Sequence, residues 1–120
     1  MDNQTMDLLN WQAPASRRTD PITSHEAATT AEMRASEGRM LVLHNLRVRP
    51  MSDFDLAAVT GWIATSIGKR RGEARDAGLV RALRNADGEL IKGKSPMGSN
   101  VIMWEITEAG IQYYSERAGA

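Results

Sequence analysis

A chain of 120 residues, 42% of them hydrophobic, suits a single domain with a modest core and is too apolar for wholesale disorder. It has no cysteine, which excludes a disulfide framework and thiolate metal sites and favours a reducing cytoplasm. The first thirty residues hold no apolar run of signal-peptide form, and no segment approaches a membrane span, so a cytoplasmic protein without membrane partners is expected. Net charge is zero, with 15 basic and 15 acidic side chains, but the signs are segregated. Residues 61 to 95 hold eight Lys or Arg against four acids, while the segments on either side are each net negative by two. A local basic block matters more for a polyanionic partner than the total does.

Residues 1–20 are polar, with Leu8, Leu9 and Trp11 as the bulky apolar cluster, and read as a flexible arm ahead of a domain over 21–120. Thr23 and Glu26 have capping-box spacing, which predicts an Ala-rich helix to about Arg34, broken by Ser36-Glu37-Gly38. Met40, Leu41, Leu43 and Leu46 predict a second helix over 38–47, ended by Pro50. Ser52 is a good N-cap, and Asp53 and Asp55 sit where the helix dipole favours anions, so a short helix is expected to about Thr60-Gly61. A third helix is expected from Trp62 or Thr65 to Ala77, closed by Gly78.

Beyond Gly78 the period changes. Leu79–Leu83 reads as a strand, and Ala86-Asp87-Gly88-Glu89 as a turn. Residues 93–100 read as a loop, and Val101–Ile106 as a second strand with Ile102, Trp104 and Ile106 on one face. Thr107 with Glu108 caps a last helix through Tyr113, Tyr114 and Arg117. The predicted buried set is Leu43, Leu46, Leu56, Ile67, Leu79, Ile102 and Trp104.

Helix, short helix, tight turn, third helix, strand, long loop, strand is the order of a winged helix-turn-helix. The fold class is therefore α+β, mostly helical, with a two-stranded wing and flanking N- and C-terminal helices. The third helix of such a domain fits a major groove, and the wing reaches phosphates or the minor groove. Candidate DNA-binding residues on the helix are Thr65, Ser66, Lys69, Arg70, Arg71 and Arg75, with residues 62–77 as the recognition helix. Arg84, Lys92 and Lys94 are the candidates on the wing, residues 84–100. Ile67 and Ala74, seven apart, turn the basic residues outward by facing the core. The competing reading of the same charges is a solvated face with no ligand.

Four stretches resemble the MarR-like winged-helix superfamily: 52–61 (SDFDLAAVTG), 66–73 (SIGKRRGE), 76–80 (DAGLV) and 104–110 (WEITEAG). Residues 17–28 (RRTDPITSHEAA) resemble a leader of phage and prophage helix-turn-helix proteins. The resemblance implies a small double-stranded-DNA-binding protein, a phage or prophage transcriptional regulator. Where such domains usually have leucine this chain has Ala74, and Gly68 and Gly72 lower the propensity of the same helix.

No residue set for catalysis stands out. His25 and His44 do not complete a zinc spacing, the glycines from 88 to 98 do not form a phosphate loop, and no cofactor is implied. The alternative function is a protein-interaction module, for example a phage inhibitor of a host polymerase, replication or defence protein, or a structural component of a nucleoprotein assembly. Helices at about 23–34 and 108–117, with Ala27, Ala28 and Ala31 on one and Tyr113 and Tyr114 on the other, offer surfaces for a homodimer, or else pack on their own core.

Overall fold

A computed structural model describes residues 21–119, with side chains from residue 30 onward. The elements in order are α1 (Pro21–Leu46), α2 (Asp53–Thr60), α3 (Ala64–Asp76), β1 (Val80–Ala82), β2 (Lys92–Lys94), β3 (Asn100–Ile102), β4 (Trp104–Ile106) and α4 (Glu108–Arg117). The chain divides into two units between Arg34 and Ala35. The described part of the first is helical, and its side chains from Thr30 to Arg34 are exposed. The arm with Trp11, the Thr23–Glu26 cap and the Ala27–Ala28 face lie outside the residues whose side chains are described.

The second unit, from Ala35, carries the winged helix-turn-helix. Val42, Leu43 and Leu46 of α1, Leu56 of α2, Ile67 and Ala74 of α3, Val80 of β1, and Met51 and Trp104 form its buried core. Leu79, Tyr113 and Tyr114 are partly buried against it. The seven-residue interval from Ile67 to Ala74 gives two turns of helix on the buried side, so an alanine there is fully packed.

The local chemistry of the chain sets the element ends. The buried Ser52 hydroxyl accepts from Asp55 N–H at 3.1 Å, and the Asp55 carboxylate accepts from Ser52 N–H at 3.2 Å, a reciprocal cap on α2. Leu79 N–H bonds to the Ala74 carbonyl and Gly78 N–H to that of Arg75, each at 2.9 Å, closing α3. Thr107 Oγ1 accepts from Gly110 N–H at 3.0 Å and donates to the Gly78 carbonyl at 2.8 Å, so the cap of α4 is tied to the end of α3. No helix among the described residues is long and apolar enough to cross a membrane.

Three expectations are corrected. Ser36-Glu37-Gly38 does not break the helix, because α1 runs through it. Gly38 is there for proximity: a Cβ on it would lie 2.7 Å from Arg70 Cγ and 2.7 Å from Trp62 Cη2. Residues 93–100 are not a plain loop but most of a hairpin, β2 pairing antiparallel with β3 in the register Lys92↔Ile102, Gly93↔Val101, Lys94↔Asn100. Val101–Ile106 is two strands and not one. β4 leaves the hairpin after Met103 and pairs antiparallel with β1, Val80↔Ile106 and Ala82↔Trp104. Ile102 stays with the hairpin and is 38% exposed, whereas Trp104 is 7% exposed. The switch of partner at Met103 takes Ile102 out of the core.

Candidate nucleic-acid interface

α3 begins after the tight turn at Gly61 with no side-chain cap and no acid in its first turn. Its first N–H groups and the positive end of its dipole are therefore available to an anion. One helical stripe of α3 carries Thr65 and Lys69, both exposed and four residues apart; Arg75, also exposed, lies six residues beyond Lys69 and about 120° round the helix from it. Lys69 has no acidic partner among the described residues, and Arg75 pairs only with its neighbour Asp76 at 3.0 Å on the open surface, a weak tie. Ser66 is half-buried beside Thr65.

The other two arginines of α3 are held inside the protein. Arg70 Nη2 donates to Glu73 Oε2 at 2.9 Å, and Glu73 Oε1 accepts from Arg39 Nη1 of α1, also at 2.9 Å. Arg71 Nε and Nη2 donate to the two oxygens of Asp53 at 2.9 and 2.7 Å, and its guanidinium carbon lies 4.1 Å from the centroid of the Trp104 ring. The acids at 53 and 55 do sit in the first turn of α2, but Asp53 also holds this partner 18 residues away.

The wing contributes a second cationic face. Side chains alternate across a strand, so Lys92 and Lys94 share a face with Asn100 and Ile102, their partners in register. Lys92 is exposed, and Lys94 Nζ donates to Asn100 Oδ1 at 2.7 Å. Arg84 is elsewhere: it forms an isolated bridge with Leu90, and its Nη1 donates to the Gly88 carbonyl at 2.7 Å, bracing the first wing turn. Of the nine residues singled out in the sequence, Thr65, Ser66, Lys69 and Arg75 lie together on α3 and Lys92 and Lys94 together on the hairpin. Arg70 and Arg71 serve internal ion pairs, and Arg84 is exposed and bonds the Gly88 carbonyl away from the hairpin lysines. Asn100 and the hairpin apex at Met97 were missed. The Lys-x-Lys alternation of 92–94 is too short to have signalled that hairpin.

No family model matches the sequence, and no curated protein matches it. Among solved structures the chain is similar to a PadR-like transcription factor of Bacteroides fragilis, at 12% identity over 74% of this chain and 84% of that one, with a TM-score of 0.59. It is similar to the transcriptional regulator BldR of Sulfolobus solfataricus at 19% identity over 82% and 76%, TM-score 0.52. A third is the PcaV transcriptional regulator of Streptomyces coelicolor, at 13% identity over 87% and 74%, TM-score 0.50. At such identities the likeness establishes the fold alone, a winged helix-turn-helix.

Proposed function

We propose that this protein is a transcriptional regulator that binds double-stranded DNA, with α3 in a major groove and the β2–β3 hairpin against the neighbouring backbone. The observation that carries the reading is where the exposed cations lie. Lys69 and Arg75 are exposed on α3, opposite or beside its buried Ile67–Ala74 side, and Lys92 and Lys94 share one exposed face of the β2–β3 hairpin. Thr65 and Ser66, at the uncapped start of α3, supply hydroxyls for phosphate. Lys69 and Arg75 supply the charge that neutralises it, and Arg75 is the guanidinium on the open side of the helix for a guanine edge. The regulated genes in this reading are those of a phage or prophage, on the strength of the leader at 17–28, and the site of action is the cytoplasm.

A homodimer accompanies this reading, because operator half-sites are read by two-fold pairs. Tyr113 and Tyr114 are turned towards the core of their own subunit, so on α4 the exposed Ile111 marks the side left for a second copy. Light scattering that returns a monomer mass, alone and on DNA, would remove the dimer.

Anisotropy of a labelled random-sequence duplex, titrated across salt and followed by selection of bound sequences, tests the main reading. Lys69→Ala should weaken binding and flatten the slope of log K against log salt by about 1. Absence of duplex binding by the unmodified chain at low salt would overturn the reading.

A further inference from the structure

We infer that Arg71 is a positioning residue: Asp53 and Trp104 hold its guanidinium as a strut that sets the recognition helix against the base of the wing. The inference rests on the DNA-binding reading and assigns this arginine a task different from that of Lys69, two residues away.

Three separate pieces of chain converge on the one guanidinium. Asp53, in the first turn of α2, accepts from Arg71 Nε and Nη2 with both oxygens. Trp104, the first residue of β4, covers the guanidinium face at 4.1 Å. The two flanking groups are themselves joined, because Met51 and Trp104 exchange backbone hydrogen bonds, Met51 N–H to the Trp104 carbonyl at 3.0 Å and Trp104 N–H to the Met51 carbonyl at 2.8 Å. Arg71 therefore locks the middle of α3 to a corner already formed by the start of α2 and the root of the wing.

The surroundings fit this task. The side chains of Arg71 and Asp53 are 16% and 26% exposed, so the pair is shielded from solvent and salt. The bidentate edge of the guanidinium is taken by Asp53, so the same edge does not read a guanine. Gly68, one turn before, leaves the space the carboxylate uses: a Cβ there would lie 2.9 Å from Asp53 Oδ2. A glycine inside a helix is unfavourable, and here its absent side chain admits the carboxylate. Lysine would not replace Arg71, since an ammonium offers neither a planar fork nor a flat face for the indole.

Asp53→Asn separates a strut from a DNA contact by the sign of its effect. It removes a negative charge beside the interface and frees Arg71, so a DNA-contacting arginine would bind duplex as tightly or more tightly. A strut predicts the opposite, a loss of about tenfold, and a similar loss for Arg71→Lys. The double variant Asp53→Asn/Arg71→Lys should be no weaker than either single one, because both remove the same connection. Binding is measured by anisotropy on the random-sequence duplex, with each variant checked by circular dichroism and assayed well below its melting temperature, so that a loss of stability alone leaves the affinity unmoved. Should Asp53→Asn fail to fold, Arg71→Lys and Trp104→Phe carry the test, and wild-type affinity in both overturns the inference. Wild-type or tighter binding by folded Asp53→Asn also overturns it while leaving the DNA-binding reading intact. An unmodified chain that binds no duplex overturns that reading, and the inference with it.

Discussion

The two turns of the wing have one backbone design and two chemistries. In Asn85–Glu89 the Asn85 Oδ1 accepts from Asp87 and Glu89 N–H at 2.9 and 3.0 Å. In Ser95–Ser99 the Ser95 Oγ accepts from Met97 and Ser99 N–H at 3.2 and 3.1 Å. Each turn places glycine fourth, Gly88 at φ 83 and Gly98 at φ 87, where a side chain would be strained. In each, the glycine N–H bonds back to the first residue's carbonyl, and the first residue's N–H bonds to the carbonyl of the fifth. A polar residue three places before glycine is thus enough to specify the turn, which leaves the other positions free to set its charge. The first turn carries Asp87 and Glu89. The second is neutral, bears Met97 at 90% exposure on its apex, and is flanked by Lys92 and Lys94. Only the second suits a polyanion.

The largest expected effect separates the turns by affinity. Lys92→Ala/Lys94→Ala should weaken duplex binding markedly and flatten the salt slope by about 2, since two phosphate contacts are lost. Neutralising Asp87 and Glu89 should leave that slope unchanged. Equal responses from the two turns in salt-titrated anisotropy would erase the distinction between them. A middle-sized effect separates backbone from charge. Gly88→Ala and Gly98→Ala should each cost about 1 kcal/mol, read by urea denaturation, because each forces a side chain into left-handed backbone. A destabilisation confined to one turn would mean the two are not equivalent in design. The smallest effect concerns the apex: Met97→Ala should leave stability within about 0.5 kcal/mol, as surface substitutions do. If Met97 touches DNA through its apolar side chain, the same variant should lower affinity with no change in salt slope.

The sequence and the structure part company where distant residues meet. Ser52, Thr107 and Gly78 announce their helix ends through local hydrogen bonding, and the interval from Ile67 to Ala74 announces the buried side of α3. Gly38 looks like a breaker in isolation. What it does depends on Arg70 and Trp62, far along the chain. The hairpin β2–β3 is hidden because its strands are three residues each and flanked by Gly, Ser and Pro, so no periodic run is long enough to register. At the interface, composition finds the right elements without separating the cations on them. Lys69 and Arg71 look alike in a basic run, but Arg71 follows Ile67 by four residues and precedes Ala74 by three, on the buried side of α3, where Asp53 and Trp104 receive it.

The β1–β4 pair brings Ala82 opposite Trp104, so the twenty-odd residues between them leave the core and return to the same place. An excursion whose ends are already clasped is nearly decoupled from the body that carries it. Lengthening such a loop costs little entropy, about 0.6 kcal/mol for each doubling. Each of its turns is specified by its own polar residue and glycine, so insertion or recharging within one turn need not disturb the other. The wing can therefore change while α1, α2, α3 and α4 stay as they are, and a lineage, or an engineer, can exchange this segment to alter the surface it presents without refolding the domain that carries it.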